Sequence, residues 1–151
     1  MARWTPLLSA EEVNAVLGSA FPDTEFLGLV REVGPGRVRI VRAFAPDMLR
    51  PGGLISGPTL MSLADTAAYA LIIAHVGAEL MAVTSSLNIN FLRGAKPADI
   101  SVEGQLLSLG RRNVVCDVRI WTDSPERLAA QATVTYARAL QEDTMAGAAS
   151  R

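Results

Sequence analysis

The longest apolar stretch of the chain lies near its middle, and the patterns on either side of it differ. Between residues 54 and 73 the only charged side chain is Asp65. This stretch predicts a helix over residues 57–76, closed by Gly77. Such a helix is apolar nearly all round and must be covered nearly all round. Beyond it, apolar and polar residues alternate in four segments, residues 80–92, 99–109, 114–122 and 128–139. Gly94 with Pro97, residues 110–113 and residues 123–126 interrupt them, so they predict four strands joined by turns. In the second of these, Val102, Gly104, Leu106 and Ser108 are expected on one face. Before the long helix, Ser9 and Glu12 have capping-box spacing and predict a helix over residues 10–18, ended by Gly18 and Pro22. Residues 25–33 and 37–45 predict two strands, with a turn at residues 34–36. In the second, Val38 and Ile40 alternate with Arg37 and Arg39. The residues from 141 onward are small and polar and predict a disordered tail. No linker divides residues 1–140, which are expected to form one domain.

This order predicts an α+β fold, an antiparallel sheet curved around a long central helix. One sheet leaves part of the helix open, and a second copy of the chain would close it. The apolar stretch is long enough to span a bilayer. However, Ser56, Gly57, Pro58, Thr59, Ser62, Asp65 and Thr66 crowd its first half, and strand patterns follow it directly. A buried helix is the expectation, with no membrane partner. The N-terminus lacks the apolar run of a secretory signal, so a cytoplasmic location is expected.

Composition narrows the chemistry. The chain has 151 residues, half of them hydrophobic, with 14 basic and 15 acidic side chains and a net charge of −1. That balance is no polyelectrolyte signature, so nucleic acid is not the expected partner. One cysteine, Cys116, and one histidine, His75, exclude an internal disulfide and any metal site built from several of either within one chain. Cys116 falls in a predicted strand and reads as a buried structural thiol. Carboxylates, hydroxyls and backbone amides are left to carry the chemistry. Asp65 stands about two turns into the helix, too deep for a first-turn dipole role. A charge there costs several kcal/mol unless it is paired or neutralised. It is either bonded to a neighbouring hydroxyl or is an acceptor placed for chemistry.

Three motifs carry a resemblance. Gly52-Gly53-Leu-Ile-Ser56-Gly57-Pro58 precedes the helix, Leu63-Ala-Asp65-Thr-Ala67 lies in it, and Val83-Thr84-Ser-Ser-Leu87-Asn88-Ile-Asn90-Phe91-Leu-Arg93-Gly94-Ala95 follows it. With the later Gly110-Arg111-Arg112 turn, these resemble the hotdog-fold acyl-CoA thioesterases, specifically their phenylacetate-degradation branch, over residues 47–136. The resemblance implies that Asp65 acts as general base on water or attacks the thioester itself. It implies that the Gly57 N–H, at the helix N-terminus, polarises the thioester carbonyl. Thr84 matches a hydroxyl that faces the carboxylate. Gly57 and Asp65 are about 12 Å apart along a helix, so one chain cannot easily bring both to one carbonyl. Two helices related by a two-fold axis can, and the family's dimer, often paired into a tetramer, agrees.

Further expectations attach to single residues. Tyr69, one turn after Asp65, would line the acyl pocket. Asn88 in the strand motif is a further substrate-binding candidate. Arg93, Lys96, Arg111 and Arg112 are candidates for the coenzyme A phosphates. Coenzyme A enters only as part of the substrate, with no other cofactor and no metal. The pattern also departs from the family near the chemistry. Ser56 stands in place of the family histidine, Pro58 in place of a second glycine, and Arg50 in place of an asparagine that orients water. Ser56 could still donate a hydrogen bond, but it is no acid–base group at neutral pH. These departures keep open a second function, a non-catalytic acyl-CoA binding or regulatory protein. A hotdog dehydratase would need an Asp–His pair, and His75 lies about 15 Å beyond Asp65 by helix rise.

Overall fold

In the computed structural model, residues 3–24 and 29–139 are described. The predicted tail falls outside them, as do residues 25–28 of the first predicted strand. Helix α1 spans Ala10–Ala20. Its capping box is formed, with the Glu12 N–H donating to Ser9 Oγ at 3.2 Å and the Ser9 N–H to Glu12 Oε1 at 3.1 Å. Gly18 does not end this helix. It sits inside the last turn, and Phe21 is the cap.

The strands are β1 (Val30–Gly34), β2 (Arg37–Arg42), β3 (Leu49–Arg50), β4 (Leu54–Ile55), β5 (Val83–Phe91), β6 (Ile100–Leu109), β7 (Asn113–Trp121) and β8 (Ala130–Ala137). Six of them form one antiparallel sheet in the order β1-β2-β6-β7-β8-β5, while β3 and β4 pair alone. The short β3–β4 ladder was not expected from the sequence. Helix α2 spans Gly57–Val76, the bounds expected from the sequence. The sheet curves around it, so the fold is the expected hotdog arrangement. The helix is apolar enough to cross a membrane, with a mean hydropathy of 1.4, but here it is the core of the sheet's concave face. Ala64, Ala67, Ala68 and Leu71 are fully buried, as are Val38, Val102, Val118, Ala132 and Val134 of the strands. The small alanines let the helix settle close to the sheet, where dispersion contacts are strongest.

Among the described residues, two of the sheet's three register shifts reset which residues of β5 and β6 face the helix. One lies between Leu106 and Ser108. Leu106 is buried while Ser108 is exposed, which corrects the expected face of β6. The other lies between Thr84 and Ser86. An extra residue reverses the alternation that follows it. Thr84 faces the helix, and beyond the bulge Leu87 and Ile89 pack on the core while Asn88 and Asn90 are exposed.

His75 locks the far end of α2. Its Nε2 accepts from the Gly36 N–H at 2.9 Å, which leaves Nδ1–H to donate to the Leu71 carbonyl at 2.9 Å. Gly36 has φ +66°, and a Cβ there would meet the Trp4 ring at 2.8 Å, so the turn that His75 grips requires glycine. The ring is therefore a neutral structural group. His75→Ala is expected to cost about 1–3 kcal/mol, read as a lower urea midpoint, because it strands a buried N–H.

Candidate active site

The sheet does not cover all of α2. Pro58, Met61 and Ser62 are exposed, and Asp65, Thr66 and Tyr69 are half-buried, so the open stripe runs along the first half of the helix. Asp65 lies in that stripe. Its Oδ1 accepts from Thr84 Oγ1 at 2.7 Å and from the Tyr136 hydroxyl at 2.9 Å. Both donors fall on one oxygen, and among the described residues no protein hydrogen bond falls on Oδ2. β5 and β8 bring the donors together, since Thr84 and Tyr136 are direct cross-strand partners.

Around the carboxylate is a cleft of about 410 Å³. Its wall is aromatic. Tyr69 stacks on Tyr136 with centroids 5.8 Å apart, and Phe21 meets Tyr69 edge-on at 6.1 Å. The Tyr69 hydroxyl donates to the Leu80 carbonyl at 2.8 Å, and Tyr69 is one of the cleft's lining residues. Arg138 holds the Leu80 segment from behind, pairing with Glu79 at 2.9 and 3.2 Å. Burial pushes the Tyr136 phenol well above its ordinary value. The Asp65 charge and hydrogen bond add to the rise, and the Thr84 hydroxyl opposes it. Tyr136 is thus a protonated donor throughout the neutral range. Burial raises Tyr69 as well.

Gly57 and Ser56 lie at the other end of the exposed stripe. A second cleft of about 410 Å³ is lined there by Gly57, Phe91, Arg50 and Arg93. Gly57 is the first residue of α2, so its N–H has no intrahelical partner. Ser56 is the N-cap. Its Oγ accepts from the Thr59 N–H at 3.3 Å and lies 2.8 Å from Thr59 Oγ1. As N-cap, Ser56 Oγ serves the helix as an acceptor, and its hydroxyl proton is a separate donor. Pro58 fits the first turn without strain but offers no N–H. Arg50 lines the Gly57 cleft and donates from Nε to the Pro51 carbonyl at 3.0 Å. It is not among the residues of the Asp65 cleft.

The remaining predicted residues are spread out. Arg93 and Lys96 follow β5 at the Gly57 end, and Arg111 and Arg112 lie in the β6–β7 turn, all exposed. Asn88 is not brought to Asp65, because the bulge turns it to the outer face beside Thr133. Tyr136 was missed from sequence. Its one signal was a tyrosine at an inward position of β8, whose hydroxyl would need a buried partner.

Comparison with known proteins agrees with this architecture. The thioesterase superfamily profile matches residues 52–129, just over half of the chain. The chain belongs to the thioesterase superfamily. It is a member of a family of thioester hydrolases. A protein of Saccharolobus solfataricus named as an esterase is 32% identical over 87% of this chain and 86% of its own. A crystal structure named as a thioesterase, from Silicibacter sp. TM1040, superposes with a TM-score of 0.81 at 30% identity, covering 91% of this chain and 96% of that one. A thioesterase-named protein of Streptococcus pneumoniae, solved with coenzyme A, shares the fold at a TM-score of 0.64 and 24% identity, over 72% of this chain and 86% of that one.

Cys116 plays no part in the site. It is fully buried, and burial pushes its thiol up to about 12. The thiolate is the reactive form, so in the folded protein at pH 8 it should resist a thiol reagent for hours and react once urea unfolds the chain. Stoichiometric labelling of the folded protein would contradict this placement.

Proposed function

We propose that this protein hydrolyses acyl or aryl-acyl thioesters of coenzyme A, as a homodimer with each site built from two chains. The observation that carries the reading is Asp65, a carboxylate that lines an aromatic cleft with one oxygen held by two hydroxyls. Asp65 takes a proton from water, and the hydroxide adds to the thioester carbonyl carbon. The negative oxygen is met by the Gly57 N–H of the second chain. The C–S bond then breaks, and the proton passes to the coenzyme A thiolate. Direct attack by Asp65 would instead form an anhydride opened by water. A single turnover in oxygen-18 water that labels the Asp65 carboxylate identifies the anhydride route, with water attacking the aspartyl carbonyl carbon.

Three features support the dimer. The site's halves lie about 12 Å apart on one helix. Among the described residues β5 is an edge strand with no strand paired to its outer side. Met61, Leu80, Met81, Val83, Phe91 and Leu92 expose large apolar side chains along this rim and the open stripe. Arg50 and Arg93 line the Gly57 cleft, and in this reading they pair with coenzyme A phosphates. A panel of acyl-CoA thioesters assayed for thiol release tests the reading. Turnover of at least one supports it. The cap role of Ser56 and the missing N–H at Pro58 favour a second reading, binding without hydrolysis. In that case a thioester raises the melting temperature and is recovered intact.

A further inference from the structure

Building on the reading of Asp65 as the reacting carboxylate, we propose that Tyr136 is a positioning residue: its hydroxyl, with Thr84, holds Asp65 Oδ1 and leaves Oδ2 as the reacting oxygen. A carboxylate can present either oxygen by turning about its last torsion. Two donors at 2.7 and 2.9 Å on one oxygen remove that freedom. Tyr136 also reaches the Asp65 backbone carbonyl at 3.3 Å, so it reads the helix as well as the side chain. Its ring plane is fixed by the stack on Tyr69.

The hydroxyl is what needs explaining. Tyr136 is only 4% exposed, and its ring packs in the core. Phenylalanine would keep the packing and the stack, whereas a buried hydroxyl is costly unless it is bonded. Here the hydroxyl is spent on Asp65. Burial raises the phenol above its ordinary value, so it stays protonated and donates throughout the neutral range. Among the described residues lining the cleft, Tyr69 and Tyr136 are the only other titratable groups. From β5 the cleft receives Thr84 and Val83, and from the α1 side Leu17 and Phe21, none of them charged. Donors to a carboxylate favour its charged form. Removing one therefore moves the protonation step of Asp65 to higher pH.

The test combines two readouts on the full chain. The first follows the Asp65 carboxyl carbon by NMR as pH is varied, in the unsubstituted protein, Tyr136→Phe, Thr84→Val and the double variant. The expected result is a midpoint displaced to higher pH in each single variant and further in the double. The second is the pH profile of the best substrate from the thioester panel. Its acid limb should move in the same direction, with kcat about tenfold lower and KM within about twofold. A lowered melting temperature with an unmoved midpoint and an unmoved acid limb would make Tyr136 a packing residue and overturn the proposal. If Tyr136→Phe fails to fold, the unsubstituted protein still decides. The Tyr136 ring carbon bearing the hydroxyl should then shift at the Asp65 midpoint, and Asp65→Asn should abolish that step. Absence of the coupled step overturns the proposal. The NMR readout needs no turnover, so failure to hydrolyse any thioester sinks the hydrolytic reading without touching this result.

Discussion

Asp65→Asn should lower kcat for thioester hydrolysis by about 10²- to 10⁴-fold while leaving KM within a few-fold. Asparagine has the same shape, and its side-chain oxygen can still accept from Thr84 and Tyr136, the two donors now on Oδ1. The fold and the proposed dimer should therefore survive, visible in an unchanged circular dichroism spectrum and elution volume. What is lost is the basic or nucleophilic oxygen on the open side. Retention of more than about a tenth of kcat would remove Asp65 from the chemistry and return it to the role of a satisfied core carboxylate.

The second large effect is a restoration. Gly57→Pro removes the N–H proposed to meet the carbonyl oxygen, and the backbone is prepared for it. Ser56 already has φ −70° and ψ 150°, the extended form that a following proline prefers. Proline at the first helical position is well tolerated. A Cβ at residue 57 comes within 3.3 Å of the Phe91 ring, which must yield by a few tenths of an ångström. Alone, this variant should lose about 10²- to 10³-fold in kcat, the usual effect of removing an oxyanion donor. Unfolded and refolded together in equal amounts, Gly57→Pro and Asp65→Asn should recover about a quarter of the unsubstituted activity. Half of the dimers are then mixed, and in each the second chain's Gly57 meets the one remaining Asp65 in a single intact site. If Asp65 and Gly57 of one chain served the same carbonyl, mixing would restore nothing. Activity at the level of the separate variants would therefore refute the shared site.

Several of these elements were legible before the fold was known. The capping box at Ser9 and Glu12 and the bounds of α2 are local, set by side chains within a turn or two of each other. The strands of the second half came within a few residues of their observed ends, because apolar alternation records burial directly. Gly18 misled because an exposed glycine is tolerated within a helix at about 1 kcal/mol. Ser108 misled because it follows a bulge, which reverses the face of every residue beyond it. On β5 the apolar Leu87 and Ile89 mark the inward face after the bulge. Thr84 and Asn88, of like parity in the sequence, thus end on opposite faces.

The sequence by itself determined the central helix, the antiparallel sheet around it and the single charge within the helix. Each of these follows from hydrophobic period and from the cost of a lone carboxylate among apolar side chains. Only the tertiary structure decided what that carboxylate does with its two oxygens. Tyr136 reaches it across 71 residues of chain, through a strand register fixed by the whole β5–β8 ladder and the bulge within it. Register is the sum of many cross-strand contacts, so no local pattern could have placed that hydroxyl on Oδ1.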